Sequence, residues 1–121
     1  MKYRILLATF AVALIGSATS ALAADVISDV MKKYHKAPKG TDPLCKKASN
    51  GDATPSELSD LLKGYQDIAK VEPPKGTKES WEAKTKALIT GVEVMQKDAK
   101  NTAAFKAAVN CKACHTDHKP D

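Results

Sequence analysis

The sequence predicts an all-α protein whose helices form an up-down-up-down four-helix bundle. Three observations support this fold class: apolar residues recur at three- and four-residue spacing, alanine and lysine are abundant, and runs of β-branched residues are absent. Short stretches rich in proline, glycine and polar residues separate the helical patterns. Because such connections are short, consecutive helices are expected to pack as antiparallel neighbours.

The first predicted helix lies between a capping residue and a helix breaker. Asp25 can cap a helix that runs to about Ala37, where Pro38 and Gly40 stop it. Residues 43–49 are predicted to add a short helical turn. The apolar face of the first helix comprises Ile27, Val30, Met31 and Tyr34.

Three further helices follow, each with its own start signal. Residues 54–57 read Thr-Pro-Ser-Glu, a capping box with proline at the first helical position, so a second helix is predicted to start there. Gly64 is expected to weaken this helix, and residues 71–76 link it to a third helix capped by Thr77. Asn101 is predicted to cap the fourth helix. The third helix has an apolar seam at heptad-like spacing, which comprises Trp81, Thr85, Leu88, Val92, Met95 and Ala99.

The most specific motif lies near the C-terminus and reads Cys111-Lys112-Ala113-Cys114-His115. The spacing Cys-x-x-Cys-His is the attachment signature of c-type haem. Each thiol adds to one vinyl group of the haem, so two sulfurs about one helical turn apart suit one edge of a single macrocycle. The imidazole that follows is then placed to bind the iron as its proximal ligand. The sequence therefore predicts one covalent haem c on the last helix, held by Cys111 and Cys114, with His115 on the iron.

Two other chemistries use similar residues. A thioredoxin-like redox pair would be expected near a βαβ pattern, and the sequence contains none. A zinc site could draw on Cys45, Cys111 and Cys114 with His115 or His118, but these residues lack a paired knuckle spacing. Cys45 is otherwise a left-over cysteine, with three interpretations: a free buried thiol, an intermolecular disulfide or a contact near the haem. The buried thiol is the simplest of the three.

The N-terminus has the features of a secretory signal peptide over residues 1–23. Lys2 and Arg4 give a basic start, residues 5–15 form an apolar core, and residues 21–23 fit the A-x-A cleavage pattern. The apolar run is shorter than the roughly 20 residues of a transmembrane helix, so no stable membrane span is expected after cleavage near Ala23. Because c-type haem is attached outside the cytoplasmic membrane in bacteria, the mature protein is predicted to be periplasmic.

Residues 24–121 remain as one small domain, the predicted cytochrome domain. Loss of Lys2 and Arg4 lowers the formal net charge from +5 to +3, which suits docking to an acidic periplasmic redox protein. Scattered lysines and few aromatic residues argue against nucleic-acid binding. The sequence has no glycine-rich phosphate loop, nucleophile elbow or Ser-His-Asp pattern, so an enzyme is not expected.

A haem motif on the last helix of a four-helix bundle resembles the class II cytochromes c, which include the cytochromes c′ and their low-spin relatives. The resemblance follows the helix order of the whole mature chain and is specific at Cys111, Cys114 and His115. It implies that the first helix covers the distal side of the haem, with a methionine ligand in the low-spin branch and an apolar residue in the cytochromes c′. Residue 27 is isoleucine in this chain, whereas many members carry an arginine near a haem propionate.

The sixth iron ligand stays open among a few residues. His118 lies three residues after His115 and therefore on the same side of the haem, and no methionine follows the motif. Met31 falls at about the first-helix position that the resemblance implies, and His35 lies four residues later on the same face. Met95 is a further candidate. Each of the three also has a simpler interpretation, with the methionines in the core and His35 at a solvated helix end.

Two functions are consistent with such a site. The first is a one-electron carrier between periplasmic redox proteins, because a single haem in a small bundle comes here without a catalytic constellation. The second is a cytochrome c′-type protein that binds or senses small gases such as NO or CO, which would require a distal site without a firm ligand. The resemblance also admits a homodimer, since many of its relatives dimerise.

Overall fold

The computed structural model describes residues 18–121, with side chains from residue 22 onward. Over this range the chain is all-helical, as the sequence predicts, and contains no strand. The helices pack as a bundle around a shared apolar core. In chain order they are α1 (Ala18–Val30), which continues as a π-helical turn (Met31–His35), α2 (Leu44–Ser49), α3 (Pro55–Ala69), α4 (Lys78–Lys97), α5 (Ala103–Ala108) and α6 (Cys111–His118).

The first helix starts earlier than the capping pattern predicts. The prediction of a cap at Asp25 is wrong, because α1 already begins at Ala18 and runs through Asp25 without a break. Alanine and leucine dominate the intervening residues, and both favour helical backbone. The helical path ends at His35, since Lys36 is extended with φ −121° and ψ 149°, just before the predicted stop at Pro38.

The predicted signal peptide overlaps the described residues only in part. Its basic start and its apolar core lie within residues 1–17, outside the residues that the structure describes. Between residues 18 and 121, no helix combines the length and the apolar character that a membrane crossing requires.

The two long helices begin at the predicted caps. The Thr54 hydroxyl accepts a hydrogen bond from the Glu57 N–H at 3.2 Å, and the Glu57 carboxylate accepts one from the Thr54 N–H at 2.8 Å. These reciprocal bonds satisfy backbone donors that the first turn of α3 leaves without partners. At the start of α4, the Thr77 hydroxyl accepts from the Ser80 N–H at 3.2 Å. Both start signals are therefore confirmed.

The core lies between α3, α4 and α5, which pack against one another. The predicted seam of the third helix is confirmed for its five residues within α4, all of them buried, whereas Ala99 lies beyond the end of α4 and is only partly buried. Burying these side chains removes large apolar surfaces from water, which is the main favourable contribution to folding. The largest fully buried apolar side chains are Leu61, Tyr65, Val92, Met95 and Phe105.

Gly64 has a packing role rather than the weakening role that propensity alone predicts. It is buried in α3, and a Cβ atom on it would lie 2.5 Å from Cε2 of Tyr34. The missing side chain thus lets the ring of Tyr34, in the π-helical turn, lie directly on α3. Gly91 does the same for α5, since a Cβ there would lie 2.8 Å from the Cα atom of Phe105. Glycine at both positions lowers the helical propensity, but the missing side chain allows the helices to make close contact.

The predicted fourth helix is divided into two. Its first part, α5, has Thr102 rather than Asn101 at the N-cap position. The chain then leaves helical geometry at Val109 and Asn110, and α6 starts at Cys111. The Asn110 side chain accepts a hydrogen bond from the Ala113 N–H at 3.1 Å. Asparagine competes for backbone donors in this way and favours a new N-cap over a continuous helix.

Candidate cofactor site

The short helix α6 brings the motif residues onto one face. Cys111, Cys114, His115 and His118 stand at positions i, i+3, i+4 and i+7 of the helix, the spacing of a single stripe. Cys111 and His115 are exposed, Cys114 is half-buried and His118 is buried. The arrangement therefore offers two thiols one turn apart and, beside the second thiol, an accessible imidazole, as the attachment motif requires.

A groove of about 270 Å³ opens beside Cys114, at the junction of α4 with α5 and α6. Burial at this position raises the pKa of the Cys114 thiol above its usual value. Mostly small side chains form an apolar wall of the groove, while Lys84 and Asn110 contribute its polar atoms. Of the motif residues, Cys114 lines this groove. Two thiols one turn apart and an exposed imidazole are the donor set that a covalent haem needs, so the residues fit this group. The apolar wall comprises Ala83, Ala87, Leu88, Ala107 and Ala108.

The π-helical turn brings His35 to the same end of the bundle. The hydroxyl of Tyr65 and Nε2 of His35 are 3.0 Å apart, and Tyr65 is fully buried with its ring against that of Phe105, the centroids 6.2 Å apart. Burial lowers the pKa of His35, and the nearby imidazole of His115 lowers it further. π-Helical turns inside α-helices are frequent at functional sites, and this one carries two of the predicted distal ligands.

Cys45 on α2 also lies near the motif. Burial raises the pKa of the Cys45 thiol, with a smaller contribution from Cys111. Burial likewise raises the pKa of Tyr65, and both cysteines contribute to the shift. The short helix α2 packs against the π-helical turn and α3. The cysteine that the sequence leaves over is half-buried there.

The remaining candidate ligands differ in their surroundings. Met95 is buried in the core with 1 % of its surface exposed, which agrees with its interpretation as core filling. Met31 is partly buried and packs against the same core. His118 has both ring nitrogens within hydrogen-bond distance of other groups, Nδ1 at 2.7 Å from the Lys75 carbonyl oxygen and Nε2 at 3.0 Å from the Ser80 hydroxyl. His118 is thus part of the framework that holds α6.

A zinc site of the kind considered from the sequence would need Cys45, both motif cysteines and a histidine close together. Within residues 18–121, no group of three or more histidine, cysteine, aspartate or glutamate side chains is arranged to hold a metal ion. Of the two histidines considered for that site, His118 is already bonded through both ring nitrogens.

Comparison of the chain with protein-family models, with curated proteins and with solved structures found no match.

Two functional contacts are missing from the sequence interpretation. The bond between Tyr65 and His35 joins residues 30 positions apart, and the bond between His118 and Lys75 joins residues 43 positions apart. Neither pair has a local sequence signal, because the contact exists only after the helices pack. Asn110 did offer a signal, since asparagine directly before a new helical stretch is a typical N-cap.

Proposed function

We propose that the protein is a periplasmic c-type cytochrome with a single haem, and that it carries single electrons between redox proteins. Cys111 and Cys114 would each form a thioether bond, the sulfur adding to one vinyl carbon and the proton to the other. His115 would bind the iron as its proximal ligand. The observation that carries the proposal is the stripe of two thiols and an exposed imidazole on α6, with an apolar groove beside Cys114. Haem iron supplies a site that accepts and releases one electron reversibly.

The rest of the chain supports this proposal in three ways. The N-terminal residues have the pattern of an export signal, which would deliver the chain to the compartment where c-type haem is attached. The helical bundle with the motif on its last helix supports a relationship to the class II cytochromes c. The charge of +3 on residues 24–121 would favour association with acidic redox partners at low ionic strength.

The π-helical turn is proposed to face the distal side of the haem, where Met31 and His35 remain the two candidates for the sixth ligand. His35 has Nε2 bonded to Tyr65, which leaves Nδ1 as its other ring nitrogen. Either ring nitrogen of histidine can bind a metal, and a hydrogen bond at the other nitrogen orients the ring. A histidine ligand would favour a low reduction potential and a methionine a higher one.

One observation favours the second function, the binding of a small gas. His35 is engaged by Tyr65, and Met31 packs against the core, so both side chains have partners within the protein. If Met31 stays in the core and Nδ1 of His35 does not reach the iron, the distal position stays accessible to NO or CO.

Optical spectra of the matured protein distinguish the two functions. The electron-carrier proposal predicts low-spin ferric and ferrous spectra that do not change when CO is added. A high-spin spectrum that shifts with CO would support the gas-binding function instead, and a chain without any haem spectrum would contradict both.

Substitutions at the candidate ligands then identify the sixth ligand. Met31→Ala or His35→Ala should convert the spectrum to high spin, depending on which residue binds the iron. Met95→Ala serves as the matched control, because Met95 lies in the core and should leave the spin state unchanged.

A further inference from the structure

His118 is the buried residue of α6, with 2 % of its surface exposed. Its Nδ1 lies 2.7 Å from the carbonyl oxygen of Lys75, and because a carbonyl only accepts, Nδ1 carries the proton and donates. Nε2 lies 3.0 Å from the Ser80 hydroxyl oxygen. Lys84 donates to the same hydroxyl oxygen at 3.0 Å, which leaves the hydroxyl proton for His118. The ring is therefore held in one tautomer and one orientation.

Trp81 and Gly76 pack closely against the His118 ring. The edge of His118 meets the Trp81 ring at an interplanar angle of 72°, with the centroids 5.2 Å apart. Gly76 has φ +81°, and a Cβ atom there would lie 2.5 Å from the Asp117 carbonyl oxygen and 2.9 Å from Nδ1 of His118. Lys84 also forms an ion pair with the Asp117 carboxylate at 2.9 Å. The linker between α3 and α4 is thus fitted closely to the end of α6.

The position of this anchor sets the direction of the whole motif. His118 follows His115 by three residues, Cys114 by four and Cys111 by seven, so all four residues share one side of the helix. Fixing the rotation of α6 at His118 therefore fixes where His115 and the two thiols point. The other residues of α6 are exposed or half-buried and hold it less firmly.

We infer that His118 is a positioning residue that sets the orientation of the haem-binding helix through its bonds to Lys75 and Ser80. It acts on His115 through the shared helix, because fixing the rotation of α6 fixes the direction of the His115 side chain. The inference rests on the proposed function, because it assigns His115 to the iron.

The test uses the matured full-length chain and three variants. His118→Phe keeps an aromatic ring against Trp81 and removes both hydrogen bonds. Ser80→Ala removes the bond at Nε2, together with the bond from Lys84 to the same hydroxyl, and leaves the His118 ring in place, so it carries the test if the first variant folds poorly. Thr116→Ala changes an exposed residue on the same helix and is the matched control.

Two readouts are needed, hydrogen exchange of the α6 amides and the electron paramagnetic resonance spectrum of the ferric haem, which depends on the orientation of the axial imidazole. In His118→Phe we expect the α6 amides to exchange about tenfold faster or more, because the variant loses the net stabilisation of two hydrogen bonds. The g-values should shift in the same variant, with Ser80→Ala intermediate and Thr116→Ala unchanged.

The possible results separate this inference from the proposed function. If haem is attached and the g-values of His118→Phe equal those of Thr116→Ala, the positioning role is wrong, whether or not amide exchange rises. If the unaltered chain acquires no covalent haem under maturation conditions, the proposed function itself is contradicted.

Discussion

Substitution of Gly64 by alanine tests how the π-helical turn is seated on the bundle. A Cβ atom at this position would lie 2.5 Å from Cε2 and 3.0 Å from Cδ2 of Tyr34. The Tyr34 ring is only 5 % exposed, so it has little room to rotate away. Relief of the clash should therefore displace the turn that carries Met31 and His35.

Two opposing contributions set the size of the effect. Replacing glycine by alanine within a helix stabilises the helix by about 0.5–1 kcal/mol, whereas overpacking a closed core costs about 1–3 kcal/mol. The balance is a net loss of about 1 kcal/mol in the free energy of unfolding for Gly64→Ala. Gly91→Ala should lose more, because its Cβ would meet the backbone of Phe105 at 2.8 Å, and backbone cannot rotate aside as a side chain can.

Urea denaturation of the matured protein, followed by circular dichroism, measures these changes. Lys63→Ala is the matched control, since it alters an exposed neighbour on α3 and should change stability by less than about 0.5 kcal/mol. The optical spectrum of Gly64→Ala should also differ from that of the control, because both proposed distal ligands, Met31 and His35, lie on the turn. A Gly64→Ala protein that is about 1 kcal/mol more stable, with an unaltered spectrum, would refute the packing argument.

Two further predictions concern titration and reactivity. Hydrogen bonds from Lys47 and from the Thr54 N–H hold the pKa of Glu57 below its usual value. Glu57 therefore contributes stability above its unfolded-state pKa of about 4.3. This contribution is lost as the pH falls through the lower pKa of the folded state. Acid denaturation curves of the unaltered chain should therefore show a steeper loss of stability below about pH 4 than those of Glu57→Gln, and equal slopes would count against the contact. With haem on the motif cysteines, Cys45 is the remaining thiol, and because burial raises its pKa it should react with iodoacetamide far more slowly in the folded protein than in the denatured one. Equal rates of alkylation in the two states would show that Cys45 is not buried.

The features that the sequence predicts correctly are those with local causes. The capping box of Thr54 and Glu57 involves residues three positions apart, and the seam from Trp81 to Met95 follows from the helical period alone. The motif at Cys111 is also local, since its chemistry requires a fixed spacing, and the haem that it indicates stays a prediction. Such features need no knowledge of how the helices pack.

The features that it misses depend on contacts between distant residues or on competing local signals. Glycine has a low helical propensity, so the sequence alone predicts that Gly64 weakens its helix. The ring of Tyr34 lies against Gly64 and explains why glycine is favoured there. The spacing of apolar residues from Phe105 onward favours one continuous helix, whereas the Asn110 side chain caps a new helix, α6. The sequence places His118 on one side of the haem and among the possible zinc ligands, but it does not predict the anchoring role, because the partners Lys75 and Ser80 belong to other parts of the fold.

The central claim is that Cys111 and Cys114 hold one haem covalently. The most direct test is the intact mass of the chain, measured in denaturing solvent after co-expression with a c-type maturation system. The account predicts the mass of the polypeptide plus one haem for the unaltered chain, and the polypeptide mass alone for the Cys111→Ala, Cys114→Ala variant. A bare polypeptide mass for the unaltered chain, under conditions that mature a known c-type cytochrome, would contradict it.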